Sequence, residues 1–526
     1  MNAIKRVTLI VWIVSLTIPL FGQDESVKPL PLNAISGIED ANKLFHPRPT
    51  GGEIDWGLAL SGGGIRSGSY SVGVLKALYD KGILDKVDAI STVSEGGYAS
   101  YWLYGLYDPV GNKKFGERAL SDEFFLANSC RLKNAADMQS NWKMIKALVS
   151  SRPTALGDYG KSIHRTFGLE NEQLKDRRVD YYRNALNSGD APYFFINASI
   201  YSSELADYGR TIEITQDYIG NPLLGYSRWE EGKAINFNKS IAISAAGKPK
   251  VRSDVGNFAP YTLCSRKEPS SDDAVDKITG RSACNSETQQ LGLWDGGKTE
   301  NLGALPLIRR GLKNVIIVDA EHDPKYVFDA YVDLKRILES IQIDFSVSEI
   351  DRIIGERSTK GADIEWAHPT GVMTGFAKNR VTGQETTVYY LKATRPTEIF
   401  PPDIEAKMQP FIKDREKRQA FIKKTYRAGY EAAEKRDTAV GNGSSCDAAP
   451  KSPVDPKMYQ YLVNYYGYFI LQSKLRRISG LLDVDLTYDF PQTTTFDQSF
   501  YSDQMEAFIG LGILQGIKLT DIIPNR

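Results

Sequence analysis

The chain is poor in histidine and cysteine and has no net charge. Its four histidines, His46, His164, His322 and His368, are scattered through 526 residues. That leaves little material for a histidine-based metal site. The 65 basic and 65 acidic side chains cancel, whereas a nucleic-acid binder shows a basic excess. No long apolar run follows residue 21, so the mature chain is expected to be soluble or only peripherally bound to a membrane. The four cysteines, Cys130, Cys264, Cys284 and Cys446, admit three pairings. Cys264 and Cys284 flank a polar stretch and are the favoured pair. None has the close spacing of a zinc site, and no cofactor, metal or obligate protein partner is expected.

What is present begins with an export signature. Lys5 and Arg6 precede an uncharged, mostly apolar run from Val7 to Phe21, then small Gly22 and polar Gln23-Asp24-Glu25-Ser26. A signal peptide over 1–22 is therefore expected, with the protein exported to a periplasmic, outer-membrane-associated or secreted location. The apolar run is about fifteen residues, short of the roughly 20 that span a bilayer; an uncleaved anchor is the alternative. Residues 23–52 read as a polar leader, 53–400 as the main domain, and 401–526 as a mostly helical region packed on it.

Within the main domain, short apolar strands alternate with helical patterns. Trp56 to Leu60 is an apolar run that ends in glycines, and Val72, Leu75 and Leu78 then recur at helical spacing. Gly82 breaks that helix, Val87 to Val93 reads as a buried strand, and a helix from Gly97 to Tyr107 follows. Tyr193 to Ile200, Leu291 to Trp294 and Val315 to Val318 are further strands, and Leu305 to Leu312 is a helix. Residues 266–290 read as a loop and Thr438 to Pro456 as a linker. Glu405 to Arg436 reads as a charged helix. Its lysines and arginines suit either an anionic membrane surface or plain solvation. The tyrosines after Met458 suit core packing. Strand, tight turn and helix in repetition predict an α/β fold: a three-layer sandwich around a mostly parallel central sheet, with helical C-terminal additions.

Three places carry chemistry. Gly62-Gly63-Gly64-Ile65-Arg66 joins a strand to a helix. Glycines let backbone N–H groups turn toward one point, where the helix dipole adds positive potential for an oxyanion or a phosphate. Arg66 can order the loop or attract phosphate. Ser94, in Ser91-Thr92-Val93-Ser94-Glu95-Gly96-Gly97, sits where a strand turns sharply into a small-residue helix, as a nucleophile does on an elbow. Thr92 stands where such elbows usually carry glycine. Glu95 puts a carboxylate beside the hydroxyl, which is unfavourable unless it faces solvent. Asp295, in Trp294-Asp295-Gly296-Gly297, ends a strand and could serve as base if burial raises its proton affinity. A helix cap at Ser94 and an Asx-turn at Asp295 are the plainer alternatives. His322 is the one candidate for a competing Ser-His-Asp arrangement.

Together these motifs resemble the patatin-like phospholipases and their cytosolic phospholipase A2 relatives. The resemblance implies that Gly62, Gly63 and Gly64 form the oxyanion hole with Arg66 beside them, that Ser94 is the nucleophile, and that Asp295 is the base of a Ser-Asp dyad. Asn301, Pro306, Ile243-Ser244-Ala245-Ala246 and the Phe490 to Phe496 stretch are also similar to that family, and Thr92 departs from it. The implied activity is acyl hydrolysis of lipid esters at a lipid or membrane surface. A catalytically impaired relative that binds lipid or phosphate without turnover is the alternative.

Overall fold

The computed structural model describes residues 55–111, 114–137, 153–169, 172–201, 207–222, 225–229, 234–245, 261–266, 275–279, 288–360, 369–411, 414–440, 446–467, 490–492 and 502–524. The expected signal peptide and leader lie outside the described residues, as does Cys284 of the favoured Cys264–Cys284 pair.

The chain opens with β1 (Trp56–Leu60), α1 (Ile65–Asp80), β2 (Ala89–Val93) and α2 (Gly96–Leu106). Helices α3 (Phe125–Asp137) and α4 (Pro153–Phe167) precede strands β3 (Tyr193–Tyr201), β4 (Thr211–Ile214), β5 (Tyr218–Asn221) and β6 (Gly225–Arg228). Next come α5 (Phe237–Ser244), β7 (Tyr261–Arg266), β8 (Val275–Thr279), β9 (Thr288–Asp295), α6 (Leu305–Arg309) and β10 (Asn314–Asp319). The remainder of the sheet is β11 (Ile343–Val347), β12 (Val372–Asn379) and β13 (Glu385–Lys392), with α7 (Asp329–Ser340) before β11. The C-terminal region adds α8 (Arg415–Thr425), α9 (Arg427–Val440), α10 (Pro456–Gly467) and α11 (Ser502–Ile522).

These strands form one 13-stranded sheet. Its centre, β13-β10-β1-β2-β3, is parallel, and antiparallel strands extend it on both sides. Side chains alternate between two cores because successive strand residues face opposite ways. Leu58, Leu60, Ile90, Phe194, Ile196, Ile316 and Val318 enter one core with α1, α2 and α11. Ala59, Ala89, Tyr193, Phe195, Val315 and Ile317 enter the other with α6 and α7. The expected three-layer α/β sandwich is therefore the observed one.

Local departures have local causes. The polar stretch 266–290, read as a loop, contains β8, which among the described residues pairs with β7 alone; an edge strand tolerates polar residues that a central strand does not. The single helix expected over 405–436 is broken. Asp414 caps α8 by accepting from the Lys417 N–H at 3.1 Å, and the backbone of Tyr426 leaves the helical region before α9. Tyr459 and Tyr461 are buried as core residues.

Helix α11 lies directly on α1. A Cβ on Gly73 would meet Ile509 O at 2.0 Å, and one on Gly512 would meet Tyr70 O at 2.1 Å. Tyr70 Oη donates to Gln515 Oε1 at 2.5 Å across this contact. A second tie joins Cys130 on α3 to Cys446 by a disulfide, 316 residues apart in sequence. Glu506 on α11 completes the attachment, paired with Arg436 and, at 3.0 Å, with Lys133. Among the described residues no helix is long and apolar enough to cross a membrane.

Candidate active site

The glycine loop leaves β1 at the carboxyl end of the parallel strands, where ligands of open α/β sheets bind. Gly63 and Gly64 take φ values of 143° and 75°, a region that costs side-chain-bearing residues heavily. The loop is fastened to the end of β10: Ser61 N–H donates to Val318 O at 3.0 Å, and Ala320 N–H donates to Ser61 Oγ at 2.8 Å. Arg66 is 1 % exposed; its Nε donates to Ala320 O at 2.8 Å, while Nη1 and Nη2 have no hydrogen-bond partner. Burial lowers the guanidinium to about 10, against the opposing charges of Glu321, Glu95 and Asp319.

The three loop glycines are not equivalent. Gly62 N–H donates to Asn301 O at 2.9 Å, so this donor is already engaged. Asn301 Nδ2 in turn donates to Glu321 Oε1 at 3.3 Å, which seats the Asn301 segment between loop and sheet. The N–H groups that face the site belong to Gly64 and, more distantly, Gly63.

Ser94 has φ 53° and is 1 % exposed. For a residue with a side chain this left-handed backbone is strained, as a nucleophile elbow is. The turn is held from beneath. Ser94 N–H donates to Ser244 Oγ at 2.8 Å, and Asn197 Nδ2 donates to Ser91 Oγ at 2.8 Å and Thr92 O at 2.9 Å. Thr92 Oγ1 donates to Phe195 O on the neighbouring strand at 3.4 Å. Gly96 is required by contact: a Cβ there would stand 2.4 Å from Leu60 O.

Strand register brings Asp295 to this turn. On the edge of β3 that faces β2, Asn197 pairs with Val93. The adjacent Ala198 pairs with Asp295 of β9. Strand β9 thus takes over the edge where β2 ends, and the residues that terminate the two strands meet. The Asp295 carboxyl lies near enough to Ser94 and Glu95 to feel both, and its Oδ1 accepts from Gly297 N–H at 2.9 Å. Burial first, and the Glu95 charge second, raise it from 3.8 to about 7.

Glu95 does not face solvent as its charge suggested. It is 4 % exposed; its Oε2 accepts from Gly64 N–H at 2.8 Å and from Ser94 Oγ at 2.7 Å, with Gly63 N–H at 3.4 Å. The carboxylate is folded into the glycine loop. His164 is taken up by Tyr101, whose Oη lies 3.1 Å from Nδ1. Ser94 Oγ donates to the Glu95 carboxylate at 2.7 Å, with the Asp295 carboxyl close by.

The structure thus brings Ser94, Asp295, Gly63 and Gly64 to one point, with Arg66 beside them and Gly62 turned to Asn301. Sequence reasoning noted Ser244 only within Ile243-Ser244-Ala245-Ala246, without its role, and missed Asn197. The available signals were a lone amide in an apolar strand, and a hydroxyl at the end of an apolar helix.

Residues 58–201 match the family model of the Patatin-like phospholipase. No curated protein sequence matches the chain. Among solved structures, human GIVD cytosolic phospholipase A2 is similar to it at 14% identity and a TM-score of 0.49, over 93% of this chain and 62% of that one. VipD from Legionella pneumophila aligns over 96% of this chain and 97% of its own, at 9% identity and a TM-score of 0.22. The chain spans 62% of the length of the human structure.

Proposed function

We propose that the chain is a lipid acyl hydrolase of phospholipase A or lysophospholipase type, cleaving carboxylic esters through a Ser94-Asp295 dyad. The match over residues 58–201 supports a lipid ester hydrolase in general terms. The observation that carries the finer reading is the meeting of the strained Ser94 turn with a carboxyl of raised proton affinity, beside N–H groups of a glycine loop.

In this reading Asp295 takes the Ser94 Oγ proton as Oγ attacks the ester carbonyl carbon. The carbonyl π electrons pass to oxygen, and Gly63 and Gly64 N–H stabilise the oxyanion. One such donor is typically worth about 3–4 kcal/mol. Collapse expels the alcohol, which takes the proton from Asp295 and leaves an acyl-Ser94 ester. Water, deprotonated by Asp295, attacks that ester and releases the fatty acid and free Ser94. The unpartnered Nη1 and Nη2 of Arg66 suit a phosphate head group near the site. Export belongs to the same proposal: the N-terminal pattern suggests it, and the Cys130–Cys446 bridge suits an oxidising compartment.

The second reading, a relative that binds lipid or phosphate without turnover, is favoured by the Glu95 carboxylate in the glycine loop. A fluorophosphonate probe separates the two. The hydrolase reading expects covalent labelling that Ser94→Ala abolishes; folded protein that stays unlabelled even when Glu95 is replaced by alanine rejects it.

A further inference from the structure

We infer that Glu95 is an internal latch on this site: its carboxylate holds the glycine-loop N–H groups where the substrate's oxyanion must bind, and turnover requires its displacement. The inference rests on the hydrolase reading above and specifies how that site is regulated.

The argument is one of competition for donors. An oxyanion bonded to the carbon that Ser94 Oγ attacks needs the N–H groups of Gly63 and Gly64. In the structure Glu95 Oε2 already accepts from Gly64 at 2.8 Å, with Gly63 at 3.4 Å, and touches Ser94 Oγ at 2.7 Å. A negatively charged oxygen close to the nucleophile and to both donors stands where the tetrahedral oxygen would stand. Two oxygens cannot fill that place together.

Glu95 is the residue before α2, yet its side chain makes no capping hydrogen bond to that helix. A carboxylate that is 4 % exposed needs strong partners, and here the catalytic machinery itself supplies them. The charged groups that act on it come from other elements. Arg66 on α1 attracts it, and Asp295 at the end of β9 repels it. An ester carbonyl is a weaker acceptor than a carboxylate, so ground-state substrate enters this cradle at a disadvantage.

The test compares wild type, Glu95→Gln and Glu95→Ala, each confirmed as folded by thermal melting. The readouts are the second-order rate of fluorophosphonate labelling at Ser94 and kcat/KM on a soluble medium-chain ester. Working near pH 9 keeps Asp295, raised to about 7, ionised in every variant. A hydrogen bond to a charged group corresponds to about ten- to a hundredfold in an equilibrium. Glu95→Ala should therefore react at least about tenfold faster than wild type. Glu95→Gln, which keeps the shape and loses the charge, should fall between them.

A Glu95→Ala protein no faster than wild type overturns the latch while leaving the labelled wild type a hydrolase, and a slower one makes Glu95 a helper of the chemistry. If all three proteins fold and none is labelled, the hydrolase reading falls and the latch with it. Should Glu95→Ala fail to fold, Glu95→Gln decides alone, and equality with wild type rejects the proposal.

Discussion

The backbone N–H of Ser94 donates to the Ser244 hydroxyl at 2.8 Å, and that hydroxyl donates onward to Asn197 O at 2.5 Å. A strained residue at φ 53° persists only if its surroundings hold it, and this relay links the turn to both α5 and β3. Ser244→Ala should therefore orphan a buried N–H, costing about 1–3 kcal/mol of stability in denaturant unfolding. It should also lower kcat on lipid esters, although Ser244 donates nothing to the substrate. Unchanged stability and rate would show that the turn holds without the relay.

On the proposed dyad, Asp295 sets the pH dependence. As a base it must be ionised, so kcat/KM should climb with pH and level off above about 7. Stability should move the other way. Between 3.8 and about 7 the folded protein keeps a proton that the unfolded chain has released, so this group's contribution falls as pH rises through that window. Glu300 and Glu321, also raised to about 7, act in the same direction, so the readout is the difference between wild type and Asp295→Asn. The variant should lose part of the slope in urea unfolding and lower kcat by about 10²–10⁴-fold. A flat activity profile through neutral pH counts against Asp295 as base.

Removing the Glu95 charge should move that profile. Glu95 is the second cause of the raised Asp295 value, so Glu95→Gln should shift the rising limb of kcat/KM to lower pH. A limb that stays in place separates the two carboxylates electrostatically.

The contact between α1 and α11 leaves no room for a methyl group. Gly512→Ala would place a Cβ about where Tyr70 O already stands, at 2.1 Å. The two helix backbones must then separate, at a cost of about 1–3 kcal/mol. Because α1 begins in the glycine loop, activity should fall together with Tm. A loss of Tm with full activity would show that the loop is insulated from the C-terminal helix.

The Cys130–Cys446 bridge closes a loop of 316 residues between α3 and the segment after α9. Its removal by Cys446→Ala should cost about 2–5 kcal/mol, read as a Tm below that of the wild type without reductant. A wild-type Tm insensitive to reductant would mean that the bridge contributes nothing to stability.

Features governed by short-range sterics were legible from residues alone. Unbroken apolar runs in Trp56 to Leu60 and Val315 to Val318 announce strands buried on both faces. Successive glycines at 62–64 announce a turn that bulky residues cannot make, and the elbow at Ser94 follows from a strand running into small residues. Where the charged stretch 405–436 was read as one helix, the cap at Asp414 and the non-helical backbone of Tyr426 break it.

The amino-acid order by itself determined the α/β layering and the stretches that bear the chemistry, because φ restrictions and hydrophobic periodicity act over a few neighbouring residues. Only the tertiary structure decided how those stretches face one another. The one-residue step on β3 from Asn197 to Ala198 delivers Asp295 to Ser94. Asn301 takes the Gly62 N–H, Cys130 finds Cys446, and Glu95 turns inward to the loop. Each depends on strand register or on helix contact between residues far apart in the chain, and no local pattern encodes which distant donor a buried carboxylate will meet.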